Sequence, residues 1–206
     1  MGLISSGSTH IGQKRKTNQD SIHLDTKKNL FVVADGMGGY SGGALASRIT
    51  IQTLSLCFSQ LITPTFLACT PEQQKLMIQS AVRSGIHKAN LSIIEAKAEN
   101  PDFSHMGTTV VLAVVWQDQL TVAHVGDSRA YHWSLKGLTQ LTRDHSVVQE
   151  MIDAGTLTEE EARTSDVRNH ITRALGVHDD VEPELKTYRL TESALLMLCS
   201  DGLTEY

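Results

Sequence analysis

The hydrophobic pattern of this chain changes character about halfway along. Residues 2–9 and 21–26 read as short strands around a loop over 12–20, and the unbroken run Leu30-Phe31-Val32-Val33-Ala34 reads as a buried strand. Residues 44–61 are helix-sized, with Leu45, Ile49, Leu56 and Leu61 spaced to form an inward face. A second helix has a sharp start. Thr70-Pro71-Glu72-Gln73 supplies a capping hydroxyl, a proline at the first helical position and a glutamine where a capping box requires one. Ile78, Val82, Ile86, Ala89 and Ile93 then mark its apolar side, and it should run to Glu99 and stop before Pro101.

Past Pro101 the period shortens. Residues 108–116, 120–125 and 129–133 are β-rich runs separated by turns, which predicts an antiparallel meander. Ser146-Val147-Val148-Gln149 and Thr158-Glu159-Glu160-Glu161 read as two further capping boxes opening short helices in a polar region. Residues 185–190 and 194–199 read as strands. No internal repeat or linker interrupts the chain. The order of a strand, two long helices and many strands predicts an α+β fold, with helices packed on antiparallel sheets.

Composition narrows the class. At 206 residues and 40% hydrophobic content, the chain is expected to form one domain over 1–206. A chain of this length buries roughly 70% of its unfolded surface and needs no disulfide or metal to fold. The longest apolar run, Val110 to Trp116, is far short of the roughly 18 residues of a membrane helix, so no membrane association is expected. A net charge of −5 without a basic block argues against nucleic acid as a partner. The three cysteines form no CxxC pair and fit apolar packing in a reducing cytoplasm. Nine histidines show no HExxH and no zinc spacing. Met1-Gly2 with Ser6 fits a myristoylation pattern short enough to be matched often by chance.

The chemistry lies in a repeated device, an apolar strand that ends in Asp beside Gly. Phe31-Val32-Val33-Ala34 leads to Asp35-Gly36, Val122-Ala123-His124-Val125 to Gly126-Asp127, and Leu196-Met197-Leu198-Cys199-Ser200 to Asp201-Gly202. Asp20 precedes the strand that begins at Ser21. Taken singly, Asp-Gly is an ordinary turn dipeptide. Repeated after three strongly apolar strands, it points to carboxylates held at strand tips, with glycine letting backbone approach an ion. Carboxylates gathered in one cleft repel unless a cation neutralises them, and oxygen-only ligands suit Mg²⁺ or Mn²⁺ rather than Zn²⁺.

These motifs together resemble the metal-dependent serine/threonine protein phosphatases of type 2C. The resemblance runs in order through Gly12-Gln13-Lys14-Arg15-Lys16-Thr17-Asn18-Gln19-Asp20, Asp35-Gly36-Met37-Gly38-Gly39, Gly107-Thr108-Thr109 and Val125-Gly126-Asp127-Ser128-Arg129. It continues with Asp144-His145-Ser146, Thr172-Arg173-Ala174-Leu175-Gly176 and Ser200-Asp201-Gly202. Met37 is similar to the bacterial branch.

The resemblance implies an α-β-β-α sandwich of two antiparallel sheets flanked by helices. It also implies phosphoserine and phosphothreonine hydrolysis by direct attack of a metal-bridging water or hydroxide. Asp35 would bridge two Mn²⁺ or Mg²⁺ ions, with the Gly36 carbonyl completing one of them. Asp201 would hold the other, Asp20 would act at or just outside the ligand sphere, and Asp127 would serve a third, weaker ion. Residues 147–169 would form a flap beside the cleft. Arg15 would hold the substrate phosphate through its planar guanidinium. Without the resemblance, Lys14-Arg15-Lys16 reads equally as a solvated basic loop, and Lys14 and Lys16 keep that reading. Arg129 and Arg173 are expected to be structural. His145 beside Asp144 reads either as an acid or as a structural hydrogen-bonding residue at a helix entry, and the general acid is left unassigned.

Two departures from the family pattern stand out. Gln19 replaces a frequent Glu, and the sequence stops at Tyr206 before the family's last metal-ligating Asp. The second suggests a C-terminally incomplete domain. It leaves a rival reading, a weak or silent phosphopeptide-binding module on the same scaffold. The substrates would be phosphoproteins made by serine/threonine kinases, in signal transduction, and the protein would act as a monomer.

Overall fold

The computed structural model describes residues 3–13, 15–39, 41–190 and 193–204. The Met1-Gly2 pattern, Lys14 and the terminal Tyr206 lie outside the described residues. In chain order the elements are β1 (Asp20–Asp25), β2 (Leu30–Met37), α1 (Gly42–Ser59), α2 (Pro64–Ala68) and α3 (Pro71–Glu99). Then come β3 (Gly107–Thr108), β4 (Val110–Trp116), β5 (Gln119–Val125), β6 (Arg129–Ser134) and β7 (Gly137–Gln140). The last are α4 (Val147–Asp153), α5 (Glu159–Thr164), β8 (Glu184–Arg189) and β9 (Leu195–Cys199).

Two antiparallel sheets result, as expected. The larger runs β1-β2-β4-β5-β8 with β3 beside the end of β2, and the smaller runs β7-β6-β9. The period of two in β2 and β4 explains why both strands are apolar at successive positions. Leu30, Val32, Val110, Leu112 and Val114 face a core shared with α1 and α3. Phe31, Val111, Ala113 and Val115 face Ala130, Leu196 and Leu198 of the smaller sheet. Each face is thus buried, and truncating any one of these side chains to Ala should cost roughly 2–5 kcal/mol where it is Leu or Ile. An apolar cavity of about 630 Å³ remains between the sheets, beside Leu3, Ile22, Leu24, Leu195 and Leu198.

Helix α3 follows the sequence expectation closely. Thr70 and Gln73 form the reciprocal capping box, and Ile78, Val82, Ile86, Ala89 and Ile93 are fully or almost fully buried. Helix α1 corrects it. Leu45, Ile49 and Leu61 are partly buried and pack against the core as expected, but Leu56 is 66% exposed, and the fully buried positions are Ala46, Ser47, Thr50, Leu54 and Phe58. The physical reason is proximity. The start of α1 packs backbone to backbone on β2: a Cβ on Gly43 would lie 2.6 Å from the Gly36 carbonyl carbon. Small residues therefore hold the start of that face, and Leu54 and Phe58 fill it further along.

Other differences are local. Residues 3–9 form no strand, and β2 extends past Ala34 to Met37, so Asp35 and Gly36 lie inside the strand. Helix α2 lies beyond the expected elements, although Thr63-Pro64 carries the same cap-plus-proline signal as Thr70-Pro71. Thr158 forms a complete capping box with Glu161. Ser146 forms only half of one, because Gln149 donates its side-chain amide to Asp153 instead.

Candidate active site

The antiparallel register of β1 and β2 places Asp20 directly opposite Asp35. Two features hold this pair. The Gly36 amide donates to the Gln19 carbonyl at 3.2 Å, and the buried Ser47 hydroxyl on α1 donates to the same carbonyl at 2.6 Å. On its other side, Asp35 is clamped by threonines. Its amide donates to Thr109 Oγ1 at 3.2 Å, while its carbonyl accepts from the Thr109 amide at 2.9 Å and from Thr108 Oγ1 at 2.8 Å. The clamp continues to the β5–β6 turn, where Thr109 Oγ1 and Ser128 Oγ lie 2.6 Å apart.

That turn carries Gly126 and Asp127. Gly126 adopts φ +104°, and a Cβ there would lie 2.7 Å from Thr109 Cγ2, so only glycine fits. Asp201 opens a short 3-10 turn (Asp201–Leu203) directly after Ser200. Ser200 Oγ donates to Asp20 Oδ2 at 3.1 Å, which ties the end of the smaller sheet to the start of β1. The carboxylates thus gather where the two sheets come together at one end.

A cleft of about 450 Å³ opens there, lined by Arg15, Lys16, Asp35, Gly36, Asp127 and Asp201 among others. Five of the residues expected to do chemistry therefore share one cavity. Asp20 stands behind its wall, against Asp35. Lys16, read from the sequence as bland, lines the cleft beside Arg15, and Thr109, Asn169 and Ile171 complete the wall. Thr109 belongs to the Gly107-Thr108-Thr109 motif, whereas no sequence signal singles out Asn169 or Ile171. Asn169 and Ile171 come from a coil segment that pairs with residues 145–147 only through isolated hydrogen bonds, which no local pattern encodes.

Burial, followed by the negative charges of Asp20 and Asp201, pushes the Asp35 carboxyl up to about 9. A carboxyl so placed stays protonated at neutral pH unless a cation offsets its neighbours. The donor set is carboxylate and carbonyl oxygen, with no thiol or imidazole lining the cleft among the described residues. Such a set fits a hard divalent ion such as Mg²⁺ or Mn²⁺.

The neighbouring basic and imidazole groups have other partners. Arg129 Nε and Nη2 donate to both oxygens of Asp144, at 2.6–3.0 Å. Burial alone would lower the Arg129 pKa, but the Asp144 hydrogen bonds and charge outweigh it and raise it. The expectation of a structural Arg129 is met. His145 is buried, stacks on His124 with ring centroids 4.6 Å apart, and its Nδ1 accepts from the Gly126 amide at 3.2 Å. Burial first, then the charges of His124 and Arg173, push it down to about 4. It is neutral at pH 7 and does not line the cleft, so it is a hydrogen-bonding residue rather than an acid.

Two facing antiparallel sheets, with helices packed on the larger one and carboxylates converging at the common end, are the architecture of a metal-dependent hydrolase. The chain matches the protein phosphatase 2C family over residues 6–206 and belongs to it. It is 36% identical over 199 residues to the serine/threonine phosphatase stp of Listeria monocytogenes, covering 95% of this chain and 76% of that one. Its fold is similar to that of the serine/threonine phosphatase Stp1 from Staphylococcus aureus, with a TM-score of 0.86 and 34% identity over 97% of this chain and 76% of that one. It is also similar to the catalytic domain of the serine/threonine protein phosphatase PstP in complex with two manganese ions. There the TM-score is 0.79 and the identity 31%, over 95% of this chain and 76% of that one.

Proposed function

We propose that this protein is a metal-dependent phosphoprotein phosphatase that hydrolyses phosphoserine and phosphothreonine, with Mn²⁺ or Mg²⁺ as cofactor. The observation that carries the reading is the cleft itself. A carboxyl pushed up to about 9 by burial, and then by the charges of Asp20 and Asp201, has two cationic side chains, Arg15 and Lys16, on the same wall. Membership of the family and the named phosphatases among its relatives support the same activity, and do not favour a silent binding module.

Asp35, Asp201 and the Gly36 carbonyl would hold two ions, with Asp127 available to a third and Asp20 orienting Asp35 from behind. When bound, the cations lower the pKa of water and offset charge on the phosphoryl oxygens. Arg15 receives the phosphate, since a guanidinium meets two of its oxygens at once and keeps its charge. Thr108 and Thr109 fix the Asp35 backbone, so its carboxylate needs little reorganisation during the reaction. Residues 147–169, including α4 and α5, form a flap whose base contributes Asn169 to the cleft.

The substrates are phosphoproteins produced by serine/threonine kinases. No helix of the described residues is long and apolar enough to cross a membrane. Cys57, Cys69 and Cys199 are unpaired, which supports a reducing, cytoplasmic setting. The test is hydrolysis of a phosphothreonine peptide with Mn²⁺ against chelator, beside Asp35→Asn. Turnover should require Mn²⁺ and fall at least about 10³-fold in the variant. Activity indifferent to both would overturn the reading.

A further inference from the structure

His145 forms more connections than a helix-entry residue needs. Its amide donates to the Gly126 carbonyl at 3.0 Å, and the Gly126 amide donates back to its Nδ1 at 3.2 Å. Its carbonyl accepts from the Thr172 amide at 2.8 Å, beside the Ser146–Ile171 bridge. One residue thus joins the turn that presents Asp127 to the coil that presents Asn169 and Ile171, two sides of the same cleft.

The tautomer follows from the donors. A backbone amide can only donate, so Nδ1 carries a lone pair and the ring proton of the neutral imidazole sits on Nε2. That Nε2 is buried without a hydrogen-bond partner and faces Glu184 Oε2 at 3.8 Å. His124, His145 and Glu184 bring ligand atoms within 4.8 Å of one another, a spacing that suggests a metal centre. The Gly126 bond argues against it, because a protonated Nε2 has no lone pair to give, and deprotonating it would leave an imidazolate. His124 is fixed in turn, its Nε2 lying 2.6 Å from the Arg143 carbonyl, and it stacks on His145 to set the ring plane. Both imidazoles are therefore committed to shape.

We infer that His145 is a positioning residue that, through its Nδ1 acceptor and its main chain, locks the Gly126–Asp127 turn to the base of the Asn169–Ile171 wall. The inference rests on the proposed role of Asp127 as a cation ligand. Asparagine places its carbonyl oxygen near the position of Nδ1, whereas leucine offers no acceptor. His145→Leu should speed hydrogen exchange of the Gly126 amide, read by NMR, and weaken Mn²⁺ binding by calorimetry about tenfold. KM for a phosphothreonine peptide should rise more than kcat falls. His145→Asn should restore Gly126 protection and most of the affinity.

An Asp127→Asn background separates the two claims. There His145→Leu should still expose the Gly126 amide but no longer change Mn²⁺ affinity. If Asp127→Asn alone leaves Mn²⁺ binding intact, the ligand role of Asp127 fails, and Gly126 exchange still judges the brace. Should His145→Leu not fold, His145→Gln, whose oxygen sits nearer the Nε2 position, takes its place. Equal Gly126 protection in the Asn and Leu (or Gln) variants, with equal losses of Tm, would overturn the inference.

Discussion

Two groups of buried charge lie in this molecule and are balanced in opposite ways. At Arg129–Asp144 the compensation is internal, a guanidinium meeting both oxygens of a carboxylate that is 8% exposed. At Asp35 it is missing: the charges that act on it are Asp20 and Asp201, of the same sign, and Asp35 has no ion pair among the described residues. The first arrangement stabilises the fold as it stands. The second is a stored demand for a cation, and that demand separates a functional site from a structural pair of similar burial.

The contrast can be broken most severely at the structural pair. Asp144→Ala leaves Arg129 unpaired and should lower unfolding free energy by roughly 3 kcal/mol in urea melts, with or without Mn²⁺. Asp35→Asn should act in the opposite direction on the metal-free protein. Asparagine is neutral in both states and removes the proton release that favours unfolding, so it should raise stability in chelator by roughly 0.5–2 kcal/mol while abolishing turnover. A gentler test varies pH. The Asp35 carboxyl ionises near 3.8 in the unfolded chain and near 9 in the metal-free fold, so between those values unfolding releases a proton. Stability that Asp35 permits at low pH is therefore lost as pH rises toward 9. Tm in chelator should fall by several degrees more across pH 5–9 than Tm in Mn²⁺, and Asp35→Asn should erase that difference.

Much of this was legible in the sequence because strand tips encode position. The apolar runs point to carboxylates held by the sheets, the resemblance to the family brings Asp35 and Asp201 to one site, and the capping box at Thr70 marks the start of α3. Some of the differences come from partners distant along the chain. Leu56 was assigned inward from helical spacing alone, but the face of α1 was decided by the approach of Gly43 to Gly36. Lys16 and Ile171 reach the cleft through loops whose paths depend on partners far away in sequence. The Gly126–His145 exchange is invisible for the same reason, since neither residue's neighbours announce it.

The contact between Gly36 and Gly43 also bears on how such a protein can change over generations. A side chain on Gly36 would collide with the Gly43 carbonyl, and one on Gly43 would strike Gly36. Neither position can be reached by a compensating change at the other, because the clash is with backbone that every residue carries. Drift in the surrounding core can exchange one apolar side chain for another without altering how deep the first carboxylate sits. The reactive end of β2 is thereby insulated from the variation that the rest of the helix–sheet interface can absorb.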